Sequence, residues 1–213
     1  MVELLLRGTW ETVVMTFVSG FFGFVLGLPL GVLLYITRTG QIMENRAING
    51  ILSAVINVFR AIPFIILIVW MIPFTRLVAG TSIGVGAALV PLSVGAAPFI
   101  ARMAEGGFLE VSSGLVEAAR AMGATTFQIV WKVLIPEALP SLINSAAITL
   151  ITLIGYSTMG GAVGAGGLGQ IGYQYGYVGY DMTTMNIVLA LLVALVFIVQ
   201  TAGNFIVRKT DHR

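Results

Sequence analysis

The chain has 213 residues, of which 58% are hydrophobic and 9% charged, and its mean hydropathy is +1.00. A soluble domain carries about 25% charged residues, so too little polar surface is left to face water, and the chain is an integral membrane protein, read as a single domain over 1–213. The net charge of +2 is too small to argue for nucleic acid, the lack of cysteine excludes disulfide, zinc-knuckle and thiol chemistry, and the one histidine, His212, sits in the tail, which removes most metal sites.

Long uncharged runs mark the spans, because about 20 apolar residues cross a bilayer as a helix. Residues 12–37 give the first. It is too long for a cleaved signal peptide, Glu3 and Glu11 precede it, and no small-x-small cleavage site follows. In 47–59, Ile48, Ile51, Leu52, Val55 and Phe59 share one helical face, which predicts an interfacial helix leading into the second span. That span, 61–75, is short, so it is expected to start before Arg60, whose long stem can snorkel to the interface. Residues 77–101 give the third span, with small residues suited to close helix packing and with Pro91 and Pro98 as expected kinks. Residues 138–180 hold no Asp, Glu, Lys, Arg or His and contain the fourth span plus a glycine-rich segment, and 182–207 give the fifth.

Basic residues set the orientation. Loops 37–60, 102–137 and the tail from 207 hold Arg38, Arg46, Arg60, Arg102, Arg120, Lys132, Arg208, Lys209 and Arg213, against Arg7 and Arg76 in the other set. The expected topology is five spans with the N-terminus outside and the C-terminus cytoplasmic.

One polar stretch interrupts the apolar chain: "EAARAMGATTFQIVWKVLIPEALP", residues 117–140, within an expected cytoplasmic loop of about 102–140. Leu115, Ala118, Ala119 and Met122 fall at i, i+3, i+4 and i+7 and make one low helical face beside Glu117. Gly123 is placed as a left-handed cap. Thr125 and Gln128 have capping-box spacing and open a second helix. Pro136 and Pro140 are expected to end the excursion. Ala119 and Gly123 also match the spacing of a DNA-binding helix-turn-helix, but the would-be recognition helix carries one basic residue and is tethered between spans. Closure of the bundle from below and docking of a cytoplasmic partner both fit the hairpin.

The run Glu117-Ala118-Ala119, three residues, Gly123, nine residues, then Val133-x-Ile135-Pro136 resembles the EAA loop of ABC importer permeases, E-A-A-x3-G-x9-I-x-L-P. Val133 and Ile135 are conservative variants of its two aliphatic positions. With "YSTMGGAVGAGGLGQIGYQYGY", "WKVLIPEALPSLI" and "FRAIPFIIL", nearly the whole chain is similar to the methionine importer permeases. The resemblance implies an all-α type I importer permease in a bacterial inner membrane. It implies two copies about a two-fold axis, two ATP-binding subunits below, and an extracytoplasmic methionine-binding protein on the other side. Leu115, Glu117, Ala118, Ala119, Met122, Gly123 and Pro136 would then form the coupling element docked on the ATPase.

ATP and Mg would belong to that ATPase, with no cofactor on this chain. There is no Gly-Lys pair and so no phosphate-binding P-loop. "GAGGLG" at 164–169 matches G-x-G-x-x-G but follows a membrane span, with no acid about 20 residues on. Other than the boundary Arg60, the expected spans hold no ionisable residue, and a charge at the bilayer centre would cost about 3 kcal/mol. Proton coupling is therefore disfavoured, while sodium coupling through carbonyls, a passive oligomeric channel, or a different small amino acid stay open.

In the fourth span Ser145, Thr149, Thr152 and Tyr156 form a neutral polar stripe that suits a zwitterion's path, or that simply bonds i−4 carbonyls. Met159 stands at its end as a candidate seal. Residues 155–180 hold ten glycines and five of the six tyrosines, too much glycine for one continuous helix. The tyrosines fit an interfacial belt or contacts with the binding protein.

Overall fold

The computed structural model describes residues 1–210; His212 and Arg213 lie outside the described residues. Among the described residues every regular element is helical. Four helices are long and apolar enough to cross a membrane, or five with a bent pair taken as one span. They are α1 (Val2–Thr37), α5 (Val85–Leu109), α9 (Leu139–Gly161) and α11 (Met182–Thr210).

Helix α1 starts ten residues earlier than its uncharged run, because Arg7 and Glu11 neutralise each other one turn apart at 2.9 Å. At 1.5 Å per residue its 36 residues reach about 54 Å, well beyond a hydrocarbon core of about 30 Å. It packs along α5 through glycines. A Cβ at Gly27 would sit 2.6 Å from the Ala97 carbonyl oxygen, and one at Gly31 would sit 2.8 Å from that of Ala101. Gly23 approaches Ala96 and Ile100 in the same way. Lipid gives no hydrophobic drive between helices, so this close backbone approach is what holds the pair.

The second span is broken by a bend. Helix α2 (Arg46–Ala61), capped by the Asn45 side chain, ends at Ile62-Pro63, and α3 (Phe64–Trp70) turns away by 100°. The extended backbone before a proline explains the break. With α2 and α3 taken together the second span starts before Arg60, as a broken span bent at Ile62-Pro63, and α3 continues into α4 (Ile72–Ala79), which Gly80 ends with φ +74°. The inward side of α2 carries Ile56, buried against Leu34 and Ala101, and Asn49, whose amide donates to the Leu34 carbonyl at 2.7 Å. Its apolar residues Ile48, Ile51, Val55 and Val58 are exposed.

The third span is shifted to Val85–Leu109, and Pro91 and Pro98 lie inside it. It carries Arg102 and Glu105, which the sequence places in a loop. Glu105 is 6% exposed and accepts from Arg102 at 2.6 Å, with Arg38 at 3.6 Å. Arg102 also donates to Asn57 of α2 at 3.1 Å. A buried carboxylate persists only when paired and hydrogen-bonded, so this node staples the ends of α1, α2 and α5.

After α5 the chain forms α6 (Ser113–Ala121), α7 (Thr126–Ile129), a π-helical turn at Val130–Leu134 and α8 (Ile135–Glu137), then enters α9. Pro136 and Pro140 stand where the excursion gives way to the fourth span, Pro140 in the first turn of α9 itself. Each sits in the first turn of a new helix, where its missing N–H costs nothing. The wide turn, closed by the Ile135 N–H on the Val130 carbonyl, lets the path continue past Pro136.

Beyond α9 the glycine density does break the helix: Gly164, Gly166 and Gly167 have positive φ. Then come α10 (Gly167–Ile171) and a π-helical turn at Gly172–Val178. The free end of α10 is capped from the far end of the sequence. The Gly167 N–H donates to the Glu11 carboxylate at 2.8 Å, and the Leu168 N–H donates to the Thr12 hydroxyl at 2.9 Å.

Candidate functional site

The polar hairpin forms as a helix–glycine–helix element. Gly123 takes φ +82°, a conformation that suits glycine, with nothing within 4 Å of where a Cβ would sit. The Gln128 N–H donates to the Thr125 hydroxyl and the Thr125 N–H to the Gln128 side-chain oxygen, at 3.3 and 2.9 Å. Both bonds of the capping box are present.

Helix α6 splits into two faces. Val116 and Ala119 are buried in one cluster with Tyr35 of α1, Phe108 of α5, and Ile129, Leu134 and Leu142 of the path into α9. Leu115, Glu117, Ala118 and Met122 are exposed, Met122 at 81%. Ala119 thus belongs to the inward face, one position off the low face expected for it, while Leu115, Ala118 and Met122 share the outward one. Gly123 and Pro136 are exposed too.

Phe127 and Trp131 enlarge the open apolar surface, 71% and 57% exposed with ring centroids 6.0 Å apart. Their signal was two aromatics at i and i+4 in a loop otherwise assigned to water. An exposed apolar group rimmed by Glu117, Arg120 and Lys132 has the make-up of a protein contact. The inward face packs α6, through Val116 and Ala119, against the ends of α1, α5 and α9.

On α9 the polar stripe is not brought to one open surface. Ser145 and Thr149 are buried at 3% and 1%, their hydroxyls donating to the carbonyls of Ser141 and Ser145 at 2.8 and 2.7 Å. Thr152 donates to Ile148 at 2.9 Å and is half-buried. Tyr156 is also half-buried and stacks on Phe64 with centroids 4.2 Å apart and 1° between planes. The open face of α9 runs instead through Asn144, Gly155 and Met159, with Met159 48% exposed. The i−4 carbonyl consumes the hydroxyl that spacing alone offers to a path.

At the other end Glu11 and the positive-φ glycines bound a cavity of about 610 Å³, also lined by Arg7, Gln170, Gln174 and Tyr175. Tyr173, Tyr175, Tyr177 and Tyr180, from the π-helical turn and the residues after it, are exposed.

Residues 23–213 match the family described as "Binding-protein-dependent transport system inner membrane component". A relative from Salmonella typhimurium, "D-methionine transport system permease protein MetI", is 71% identical over 161 residues, covering 76% of this chain and 74% of its own. One from Vibrio cholerae, "Probable D-methionine transport system permease protein MetI", is 51% identical over 211 residues, 99% of this chain and 94% of its own. Among solved structures, a chain of "Inward facing conformations of the MetNI methionine ABC transporter" superposes with TM-score 0.98 at 68% identity, covering 100% of this chain and 98% of that one.

Proposed function

Because this chain belongs to the binding-protein-dependent transport system inner membrane components, we propose that it is the permease subunit that carries methionine inward in an ATP-driven importer. In this reading two copies enclose the path, two ATP-binding subunits hold ATP and Mg, and an extracytoplasmic methionine-binding protein delivers substrate. The chain moves a solute and catalyses no reaction.

The observation that carries the reading is the split of α6. An outward face of Leu115, Ala118 and Met122, with Glu117 beside it, docks on the ATPase. The inward face of Val116 and Ala119 is packed onto three spanning helices. Closure of the ATPase pair is thereby converted into a tilt of α1, α5 and α9. The Gly123 turn and the Pro136 segment fix the angle of the second arm. Along the path, Thr152, Tyr156 and Met159 lie toward the open side of α9, while Ser145 and Thr149 stiffen it from within. The cluster of basic residues at the hairpin end supports a cytoplasmic hairpin and C-terminus, with the N-terminus outside.

The test is ATP-dependent uptake of labelled L- and D-methionine by the complex reconstituted with its ATPase and binding protein. Uptake of methionine in preference to other small amino acids is expected, with the L- and D-forms compared in competition. Ala118→Trp should abolish co-purification of the ATPase and leave the membrane chain folded. If Ala118→Trp assembles and transports normally, the hairpin only closes the bundle. Protease access to a C-terminal tag in the same sealed vesicles reads the orientation.

A further inference from the structure

The 100° bend at Ile62-Pro63 has a consequence at the end of α2: it brings Arg60 beside α9. Arg60, Phe59, Phe64, Leu67, Phe99 and Tyr156 line a cavity of about 130 Å³. Gly95 lines it too, and a Cβ there would already stand 3.3 Å from the Phe64 ring. No acidic side chain lines the cavity. Among the described residues neither the Arg60 guanidinium nor the Tyr156 hydroxyl has a hydrogen-bond or ion-pair partner. This contrasts with Arg102, whose guanidinium is consumed by Glu105, Asn57 and Ser53. It contrasts equally with Ser145, Thr149 and Thr152, whose hydroxyls are consumed by carbonyls.

An Arg in the last turn of a helix is favoured there by the helix dipole, which places the charge without occupying its donors. The Phe64–Tyr156 stack fixes the phenol's direction. What remains is a planar, five-donor cation and one hydroxyl at the mouth of an aromatic and aliphatic cavity.

We propose that this cavity is a substrate site in each copy of the chain, holding an apolar α-amino acid by its carboxylate. Arg60 takes the carboxylate through paired N–H donors, as guanidinium geometry favours. Tyr156 donates one further hydrogen bond to it. The side chain lies against Phe59, Phe64, Phe99 and Leu67, where a thioether gains from the ring edges. The volume suits a side chain of a few heavy atoms, not a peptide, since about 30 Å³ corresponds to one water. This inference rests on the importer reading and names where that reading's substrate pauses.

The experiment measures equilibrium binding of radiolabelled methionine to the permease–ATPase complex in nanodiscs of neutral phosphatidylcholine, without the binding protein. Unlabelled methionine should displace the label, and methioninol, which lacks the carboxylate, should not. Arg60→Gln should weaken binding at least about tenfold, as expected for a charged hydrogen bond lost, Arg60→Lys less, and Tyr156→Phe least. Adding anionic phosphatidylglycerol should leave the affinity unchanged.

Methioninol competing as well as methionine overturns the site, and this comparison uses only the wild-type complex, so it decides even if Arg60→Gln fails to assemble. Arg60→Gln binding within twofold of wild type also overturns it. So does displacement by phosphatidylglycerol, which would make Arg60 a lipid-phosphate contact. Wild-type uptake with no measurable binding removes the site and leaves the importer reading standing. A wild-type complex that imports no methionine sinks the importer reading itself.

Discussion

The hairpin end and the glycine-rich end use the same residue for opposite purposes. At the hairpin, Gly123 stands in open space and is needed for its positive φ alone. Beyond α9, a Cβ at Gly161 would fall on the backbone nitrogen of Gln170, and one at Gly169 would fall on the backbone of Thr158. There glycine is needed for room, because α10 folds back against the end of α9 with main chain touching main chain. The first end is a turn that tolerates approach by another protein. The second is a joint with no space to give.

The largest expected effect separates these uses. Gly161→Ala forces backbone against backbone, and a loss of about 3 kcal/mol or more is expected, at the top of the overpacking range. The readout is a sharp fall in the thermal midpoint of the detergent-purified chain, or failure to purify it monodisperse. An unchanged midpoint would mean that the joint has slack.

Gly123→Val should be milder in stability and harsher in coupling. Its cost is the left-handed conformation, about 1–2 kcal/mol, with no clash to add. The thermal midpoint should move little, whereas recovery of the ATPase on the tagged permease should be lost. Gly123→Asn, which tolerates positive φ better, should retain part of it. If Gly123→Val lowers the midpoint as much as Gly161→Ala, the two ends are not different in kind.

The smallest effect concerns titration. The hairpin is capped by neutral Thr125 and Gln128. At the other end, Asp181 caps the start of α11, accepting from the N–H groups of Thr183 and Thr184 at 3.0 and 3.2 Å and from the Thr184 hydroxyl. The Thr184 hydroxyl, then its N–H, hold the Asp181 carboxyl below its ordinary value. A depressed carboxyl contributes stability above its unfolded value, about 3.9, and loses it as pH falls through the folded value. Amide protection in the first turn of α11 should thus be level from pH 7 to 5 and drop below about pH 4. Residues 126–129 should show no such drop, and Asp181→Asn should flatten the profile.

Much of the hairpin was legible because its signals are local. Gly123 and the Thr125–Gln128 box are fixed by residues three or four apart, and both formed as spaced. The five runs of low charge were likewise visible. The face of Ala119 was not, since the choice between two adjacent alanines is made by Tyr35 and Phe108, which arrive from other helices. The third span was misplaced because Arg102 and Glu105 count as charges singly and nearly vanish as a pair. The glycines of α1 were available at three- and four-residue spacing, yet their meaning depends on α5 lying opposite. The hydroxyl stripe misled because spacing shows where Ser145 and Thr149 point along a helix, not that their own backbone satisfies them. The turn at Pro63 was signalled by the proline, but a 100° change of direction is a property of what α2 and α3 each pack against.

The cap that Glu11 and Thr12 place on α10 also sets a timetable. These two residues leave the ribosome early, and the N–H groups they serve belong to Gly167 and Leu168, 156 positions later. At about 5–20 residues per second, α1 waits on the order of ten seconds with Glu11 and Thr12 served only by partners of its own helix, Arg7 and the Gly8 carbonyl. The cap on α10 therefore closes long after α1 can pack on α5, and a nascent chain halted before residue 167 would present Glu11 with only Arg7 beside it.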